Sequence, residues 1–129
     1  MEAAKEICPT TTMRKVTEGA LLVDVRENEE VNELRFDTPN LLQIPLSEFE
    51  DRYTEVPKDM EVVLVCKSGE RSLRATYFLM NHGWTNVYNM QHGLIRWVQK
   101  DFPTKGNTSS VLENKNAGSC CDSSSTSCC

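Results

Sequence analysis

One cysteine in this chain has the neighbours that a reactive thiol needs. Cys66 follows the apolar run Val62-Val63-Leu64-Val65 and precedes the polar segment Lys67-Ser68-Gly69-Glu70-Arg71, which leads into a helical pattern. A residue at the carboxyl end of a buried parallel strand, just before a helix, lies in the crevice where open α/β sheets bind their ligands. Cys66 is therefore a candidate nucleophile.

The segment after Cys66 is expected to favour an anion. Gly69 permits a sharply curved backbone whose N–H groups point inward, and a helix expected to begin near Ser72 contributes its positive end. Lys67 and Arg71 add positive charge. We expect a thiol in this setting to ionise more readily than a free one and to react as a thiolate. The competing interpretation is that Cys66 is only a small buried hydrophobic residue at a strand end.

The elements that must position this cysteine alternate between short apolar runs and helical patterns, from residue 5 to about residue 103. This order predicts an α/β fold built on a twisted, mostly parallel five-stranded sheet with helices on both faces. The predicted strands are Lys5–Cys8, Leu21–Val25, Leu41–Ile44, Val62–Val65 and Val87–Met90. The predicted helices are Thr10–Glu18, Glu27–Phe36, Ser47–Tyr53, Arg71–His82 and Leu94–Phe102.

The composition changes sharply after Pro103. Residues 104–129 are rich in Ser and Thr, so we expect one folded domain over residues 1–103 and a disordered tail over residues 104–129. The tail ends in two vicinal cysteine pairs, Cys120-Cys121 and Cys128-Cys129. Four thiolates suit a soft metal such as copper(I), zinc or trivalent arsenic, and a flexible tail could instead accept sulfur from Cys66. A tail without function is the third interpretation.

Charge and hydropathy weigh against several classes of function. The 129 residues carry a net charge of -5, which does not supply the basic face that nucleic-acid phosphates require. The apolar runs are far shorter than the ~20 residues that span a bilayer, and we find no secretory signal. We therefore expect a cytoplasmic protein with no nucleic-acid or membrane partner. In that reducing compartment its six cysteines are expected to be catalytic, redox-active or metal-binding.

Four motifs, in order along the chain, resemble those of the rhodanese family, specifically its small single-domain sulfurtransferases. They are Leu22-Val23-Asp24-Val25-Arg26, Gln43-Ile44-Pro45, Cys66-Lys67-Ser68-Gly69-Glu70-Arg71-Ser72 and Gly93-Leu94-Ile95-Arg96-Trp97. The resemblance covers nearly all of residues 5–103. Two segments depart from it: Phe36-Asp37-Thr38-Pro39-Asn40 stands where many relatives have His-Ile-Pro-Gly, and His92-Gly93 where many have Gly-Gly. We expect both departures to affect acceptor preference more than the fold.

The resemblance implies a reaction. Cys66 would take a sulfane sulfur from a small anionic donor such as thiosulfate, a persulfide or a polysulfide, hold it as a persulfide, and pass it to cyanide or a thiol. Asp24 and Arg26 are expected at the same rim of the sheet, in a supporting role. The cradle around the sulfur would be formed by Lys67, Ser68, Gly69, Glu70, Arg71 and Ser72.

Two residues of that cradle could hold the donor's oxygens, namely Lys67 and Arg71. Arg71 could equally be structural and pair with an acid beneath the loop. The resemblance gives Glu70 no fixed catalytic role. No separate cofactor is implied, because the sulfur is carried covalently, and a monomer is the expectation for a domain of this size.

Two other functions stay open. Rhodanese-like sulfurtransferases place four residues between cysteine and arginine, as stand here between Cys66 and Arg71, whereas the related dual-specificity phosphatases and arsenate reductases have five. Phosphatase or arsenate reductase activity is therefore the less favoured enzyme alternative. The other alternative is a non-catalytic rhodanese-like module that binds a partner or carries sulfur.

Overall fold

The computed structural model describes residues 4–106. Within them, seven strands follow the chain as β1 (Lys5–Ile7), β2 (Leu21–Asp24), β3 (Leu34–Phe36), β4 (Leu41–Gln43), β5 (Val62–Val65), β6 (Val87–Met90) and β7 (Thr104–Gly106). Five of them form one sheet in the order β1-β6-β5-β2-β4, and every neighbouring pair is parallel. The predicted α/β class and the five predicted strands are thus confirmed, with a sheet that is parallel throughout.

The helices are α1 (Pro9–Thr17), α2 (Asn28–Glu33), α3 (Phe49–Arg52), α4 (Glu70–Asn81) and α5 (Gly93–Gln99). Short 3-10 turns at Leu46–Glu48 and Tyr53–Glu55 flank α3, where one continuous helix over Ser47–Tyr53 was predicted. None of the helices within residues 4–106 is long and apolar enough to cross a membrane.

Two hydrophobic cores lie on opposite faces of the sheet, because successive side chains of a strand alternate between its faces. From β5, Leu64 packs with Leu79 of α4 on one face, and Val65 packs with Trp97 of α5 on the other. Helices therefore cover both faces, as predicted. Cys66 continues the alternation of β5 and belongs to the core on the α4 face.

One helix prediction is wrong at its carboxyl end. The pattern over Glu27–Phe36 predicted a single helix, but α2 ends at Glu33 and the next three residues form β3, which pairs antiparallel with β7. Leu34 and Phe36 are buried on either side of the exposed Arg35, which is the period of a strand.

The same pairing corrects the expectation of disorder directly after Pro103. Residues Thr104–Gly106 form β7, so the described chain is regular for three residues beyond the predicted boundary. Its sequence is polar, and the strand depends on its partner β3 rather than on apolar side chains of its own. The four cysteines predicted to act in the tail lie outside the described residues.

Candidate active site

The loop after β5 holds Cys66 at the amino end of α4. The helix begins at Glu70, one residue before the predicted helix over Arg71–His82, and Gly69 precedes it with a φ of 100°, in the left-handed region that glycine tolerates. A Cβ at Gly69 would lie 3.2 Å from the His92 nitrogen, so the backbones of two loops approach closely there. The Cys66 side chain is fully buried.

The sulfur of Cys66 faces hydrogen-bond donors from this loop. The backbone N–H of Gly69 donates to Sγ at 3.0 Å, and the N–H of Ser72, in the first turn of α4, donates at 3.4 Å. The first N–H groups of a helix have no partner within the helix and carry its positive end. Negative charge at this sulfur is therefore stabilised by fixed dipoles.

The amino end of α5 fixes the other side of the loop. Leu94 N–H donates to the Cys66 carbonyl at 2.8 Å, and Ile95 N–H donates to the Lys67 carbonyl at 3.2 Å. Gly93 makes this possible, because a Cβ there would lie 2.3 Å from the Lys67 oxygen. The third and fourth sequence motifs thus meet at Cys66.

Arg71 is paired with an acid beneath the loop, the alternative that the sequence left open. Its guanidinium makes a two-pronged contact with the Glu30 carboxylate, at 2.7 and 3.0 Å, and both side chains are about one-third exposed. This hydrogen bonding lowers the pKa of Glu30 and raises the pKa of Arg71. Arg71 also lies close enough to Cys66 and Asp24 to interact with them electrostatically.

Asp24 and Arg26 form a buried ion pair at the same rim of the sheet. Arg26 Nη2 lies 2.8 Å from Asp24 Oδ2 and donates to the Leu34 carbonyl at 2.7 Å. Asp24 pairs in register with Val65, the residue before Cys66. These contacts join β2, β3 and the strand that carries the cysteine, and they occupy both charges.

An open pocket of about 260 Å³ lies beside the loop. Two carboxylates line it, those of Glu6 and Glu70. The pKa of His92, which also lines it, is lowered by desolvation and then by nearby Arg96, so this ring is neutral at pH 7. The other lining residues are Ser68, Gly69, Leu73, Asn89 and Gln91. Lys67 is exposed and does not line the pocket.

Asn89 was missed by the sequence analysis, although it is buried next to the cradle. Its amide contacts Ser72, Gly69 and Glu6. A polar residue inside the short run Val87–Met90 was the available signal, because a buried side chain of this kind needs hydrogen-bond partners. Glu30 was also missed, since only the fold brings α2 beneath the loop.

The described residues hold no group of three or more His, Cys, Asp or Glu side chains that could bind a metal ion. Cys8, the other cysteine within residues 4–106, lies at the amino end of α1. Its sulfur accepts from the Thr11 N–H at 3.5 Å and caps this helix. The structure thus distinguishes a helix-capping cysteine from the one in the cradle.

Comparison with known proteins agrees with this architecture. The family model described as "Rhodanese-like domain" matches residues 10–100. A protein of Allochromatium vinosum named "Sulfurtransferase" is 39% identical over 87 residues, which span 67% of this chain and 79% of that protein. The "Rhodanese-like domain-containing protein 17" of Arabidopsis thaliana is 34% identical, and the match spans 67% of this chain and 64% of that protein.

A solved structure has the same fold. The rhodanese-like domain protein of Staphylococcus aureus superposes with a TM-score of 0.65 at 27% sequence identity. The superposition covers 72% of this chain and 90% of that chain.

Proposed function

Since the chain belongs to the rhodanese-like domain family, we propose that it is a sulfurtransferase that carries sulfur on Cys66 as a persulfide. The observation that carries this proposal is the setting of the Cys66 sulfur. It accepts hydrogen bonds from the backbone N–H groups of Gly69 and Ser72 at the amino end of α4. Such donors stabilise a nucleophilic thiolate.

The transfer takes place in two displacements. In the first, the Cys66 thiolate attacks the outer sulfur of the donor, the bond between Sγ and that sulfur forms, and the bond to the rest of the donor breaks. The leaving group, sulfite from thiosulfate or a thiolate from a persulfide, departs with the electron pair. In the second, cyanide or a thiolate attacks the outer sulfur and Cys66 leaves as a thiolate. Neither step needs an added oxidant or cofactor.

The charges around the site affect which sulfur donor is favoured. Arg71, one of two cations expected to hold donor oxygens, is paired with Glu30, and Glu6 and Glu70 line the neighbouring pocket. A dianion such as thiosulfate is repelled by these carboxylates more strongly than a singly charged persulfide. We therefore favour a singly charged persulfide as the donor and a thiol as the acceptor.

The burial of Cys66 supports a second candidate function, that of a sulfur-carrying or partner-binding module without turnover. The side chain of Cys66 is 0% exposed, so a donor reaches Sγ only when the loop moves. An enzyme must open repeatedly, whereas a carrier need open only when a partner docks.

A turnover assay separates these two functions. The protein would be incubated with excess cyanide and either thiosulfate or a small persulfide, and thiocyanate would be counted per protein molecule. A sulfurtransferase forms many thiocyanate molecules per chain, and Cys66→Ser forms none. At most one molecule per chain would instead indicate a carrier. Cys8→Ser is the matched control, because serine also caps helices and should leave turnover intact.

We propose that the protein acts in the cytoplasm as a monomer, which fractionation and light scattering would test.

For the cysteine pairs of the tail, we propose soft-metal binding or sulfur relay from Cys66. Resistance of these cysteines to alkylation that a chelator removes would support metal binding, whereas sulfur on the tail only when Cys66 is intact would support relay.

A further inference from the structure

A chain of hydrogen bonds runs from the edge of the sheet to the Cys66 sulfur. The Glu6 carboxylate on β1 accepts from Asn89 Nδ2 at 3.0 Å, and Asn89 Oδ1 accepts from the Ser72 hydroxyl. Ser72 Oγ in turn lies 3.4 Å from Cys66 Sγ, where its hydroxyl is placed to donate to the sulfur. Ser72 and Asn89 are both buried, so water does not compete for the contact between their side chains.

The orientation of the Asn89 amide is determined by its neighbours. Nδ2 faces two acceptors, the Glu6 carboxylate and the Gly69 carbonyl at 3.3 Å, and neither has a proton to give. Turning the amide over would set Oδ1 against both of these oxygens. The amide oxygen must therefore face Ser72, where it can only accept.

In this orientation the Ser72 hydroxyl faces two acceptors but can donate to only one of them at a time. A hydroxyl has one proton, and Ser72 Oγ has two neighbours, Asn89 Oδ1 and Cys66 Sγ. Asn89 Oδ1 is the nearer neighbour and a stronger acceptor than a thiol sulfur. The proton therefore points at Asn89, and Ser72 Oγ presents a lone pair to the sulfur.

We propose that Glu6 and Asn89 act as positioning residues that commit the Ser72 proton to Asn89, so that Ser72 Oγ accepts the Cys66 S–H and holds this cysteine as a thiol. The proposal deepens the function proposed above, because it adds a restraint on the same sulfur. Two backbone N–H groups favour the thiolate, and the side chain of Ser72 opposes it. When the thiol proton leaves to water, a lone pair of Ser72 Oγ faces the anion.

Charged groups near Cys66 must stay constant in any test: Arg71 interacts with it electrostatically, and Asp24 pairs in register with the residue before it. On β2 the Asp24 carboxylate is paired with Arg26, and on α4 the Arg71 guanidinium is paired with Glu30 of α2. None of these side chains contacts Asn89 by a described hydrogen bond. Substitutions at Ser72 and Asn89 thus change the hydroxyl proton without removing a charge.

The direction in which Ser72→Ala shifts the pH midpoint of Cys66 alkylation tests the proposal. In the full-length chain, the alkylation rate of Cys66 would be followed against pH by peptide mass spectrometry, which separates it from the other cysteines. Ser72→Ala removes the opposing lone pair, so the pH midpoint of alkylation should fall by roughly half a unit, about a threefold faster reaction below the midpoint. A midpoint that is unchanged or higher would overturn the proposal, because it would mean that the hydroxyl does not oppose the thiolate.

In a chain that carries Asn89→Leu, the effect of Ser72→Ala on the midpoint should change sign. Without Oδ1, the Ser72 proton is free to turn to the sulfur, so the midpoint should fall below that of the unsubstituted chain. Adding Ser72→Ala to this variant should now raise the midpoint again, and a further fall would contradict the proposal. Asn40→Leu is the matched control, because Asn40 also donates to a glycine carbonyl, but at the opposite edge of the sheet.

Failure of this inference and failure of the proposed function are distinguishable. The alkylation profile needs no donor, acceptor or turnover, so it reports on the hydroxyl even if the protein only carries sulfur. If Asn89→Leu does not fold, as circular dichroism would reveal, Ser72→Ala alone decides the outcome. Glu6→Ala, at an exposed position, should lower the midpoint by less, because the Gly69 carbonyl still orients the amide.

Discussion

The charged residues around Cys66 act mainly on one another. Arg26 is paired with Asp24 in the protein interior, and Arg71 is paired with Glu30 where both side chains are about one-third exposed. The sequence predicted that Asp24, Arg26 and Arg71 belong to the rim of the site. It could not decide the partner of Arg71, because Glu30 lies 41 positions away along the chain and meets it only in the folded protein.

The Glu30–Arg71 pair should make stability depend on pH on the acid side. The lowered pKa of Glu30 means that its contribution is complete above the ordinary value of 4.5 and disappears as pH falls through the lowered value. Glu30→Gln should therefore reduce the free energy of unfolding by about 1 kcal/mol at pH 7, as expected of a partly screened two-pronged pair. Urea unfolding should show that difference shrinking below pH 4.5, and a constant difference would contradict this assignment.

The carboxylate of Glu70 should select against thiosulfate. Glu70→Gln removes one negative charge from the pocket, so kcat/KM should rise about threefold for thiosulfate and less for a singly charged persulfide. Glu50→Gln, an exposed position on α3, supplies the control for a general change of net charge. Equal gains with both donors, or a gain that high salt does not reduce, would argue against electrostatic selection.

At the scale of elements, the strands were easier to predict than the connections. The buried runs Leu21–Asp24 and Val62–Val65 are strands as predicted, because central parallel strands are apolar on both faces. β3 was missed because the helical pattern beginning at Glu27 continued through it, and β7 was missed because its sequence is polar. The pairing of α5 with the loop was also hidden, since it depends on backbone groups of Cys66 and Lys67.

Gly93 should be essential to the shape of the loop. In Gly93→Ala the new Cβ would lie 2.3 Å from the Lys67 carbonyl oxygen, so α5 must move away from the cradle. We expect a loss of about 3 kcal/mol or more in the free energy of unfolding and a loss of sulfur transfer. Gly19→Ala is the matched control, because Gly19 also has a positive φ but nothing within 4 Å. It should cost only about 1 kcal/mol, and similar losses in both variants would refute the steric account.

At the scale of the whole molecule, the small β3–β7 sheet joins the end of the described chain to the rim of the site. β7 pairs with β3, and the Leu34 carbonyl of β3 accepts from Arg26. The sequence predicted a boundary just after Pro103, because the residues that follow are polar. Backbone pairing, which side-chain composition does not reveal, extends the described fold to Gly106.

Truncation should detect this small sheet. A chain ending at Gly106 should melt close to the temperature of the full chain, whereas a chain ending at Pro103 loses β7 and should melt about 5 °C lower, as for a loss of about 1 kcal/mol. Thermal unfolding by circular dichroism measures the difference. Equal melting temperatures would mean that β7 adds nothing to stability.

The central claim is that Cys66 holds the transferred sulfur, and intact mass tests it most directly. The full chain, Cys66→Ser and Cys8→Ser would each be incubated with thiosulfate or a persulfide. Their intact masses would be measured by mass spectrometry before and after cyanide is added. The account predicts that the full chain and Cys8→Ser gain sulfur that maps to Cys66 and lose it to cyanide as thiocyanate. Cys66→Ser should gain no sulfur at position 66. A folded protein that gains no sulfur on Cys66 from either donor would contradict the account.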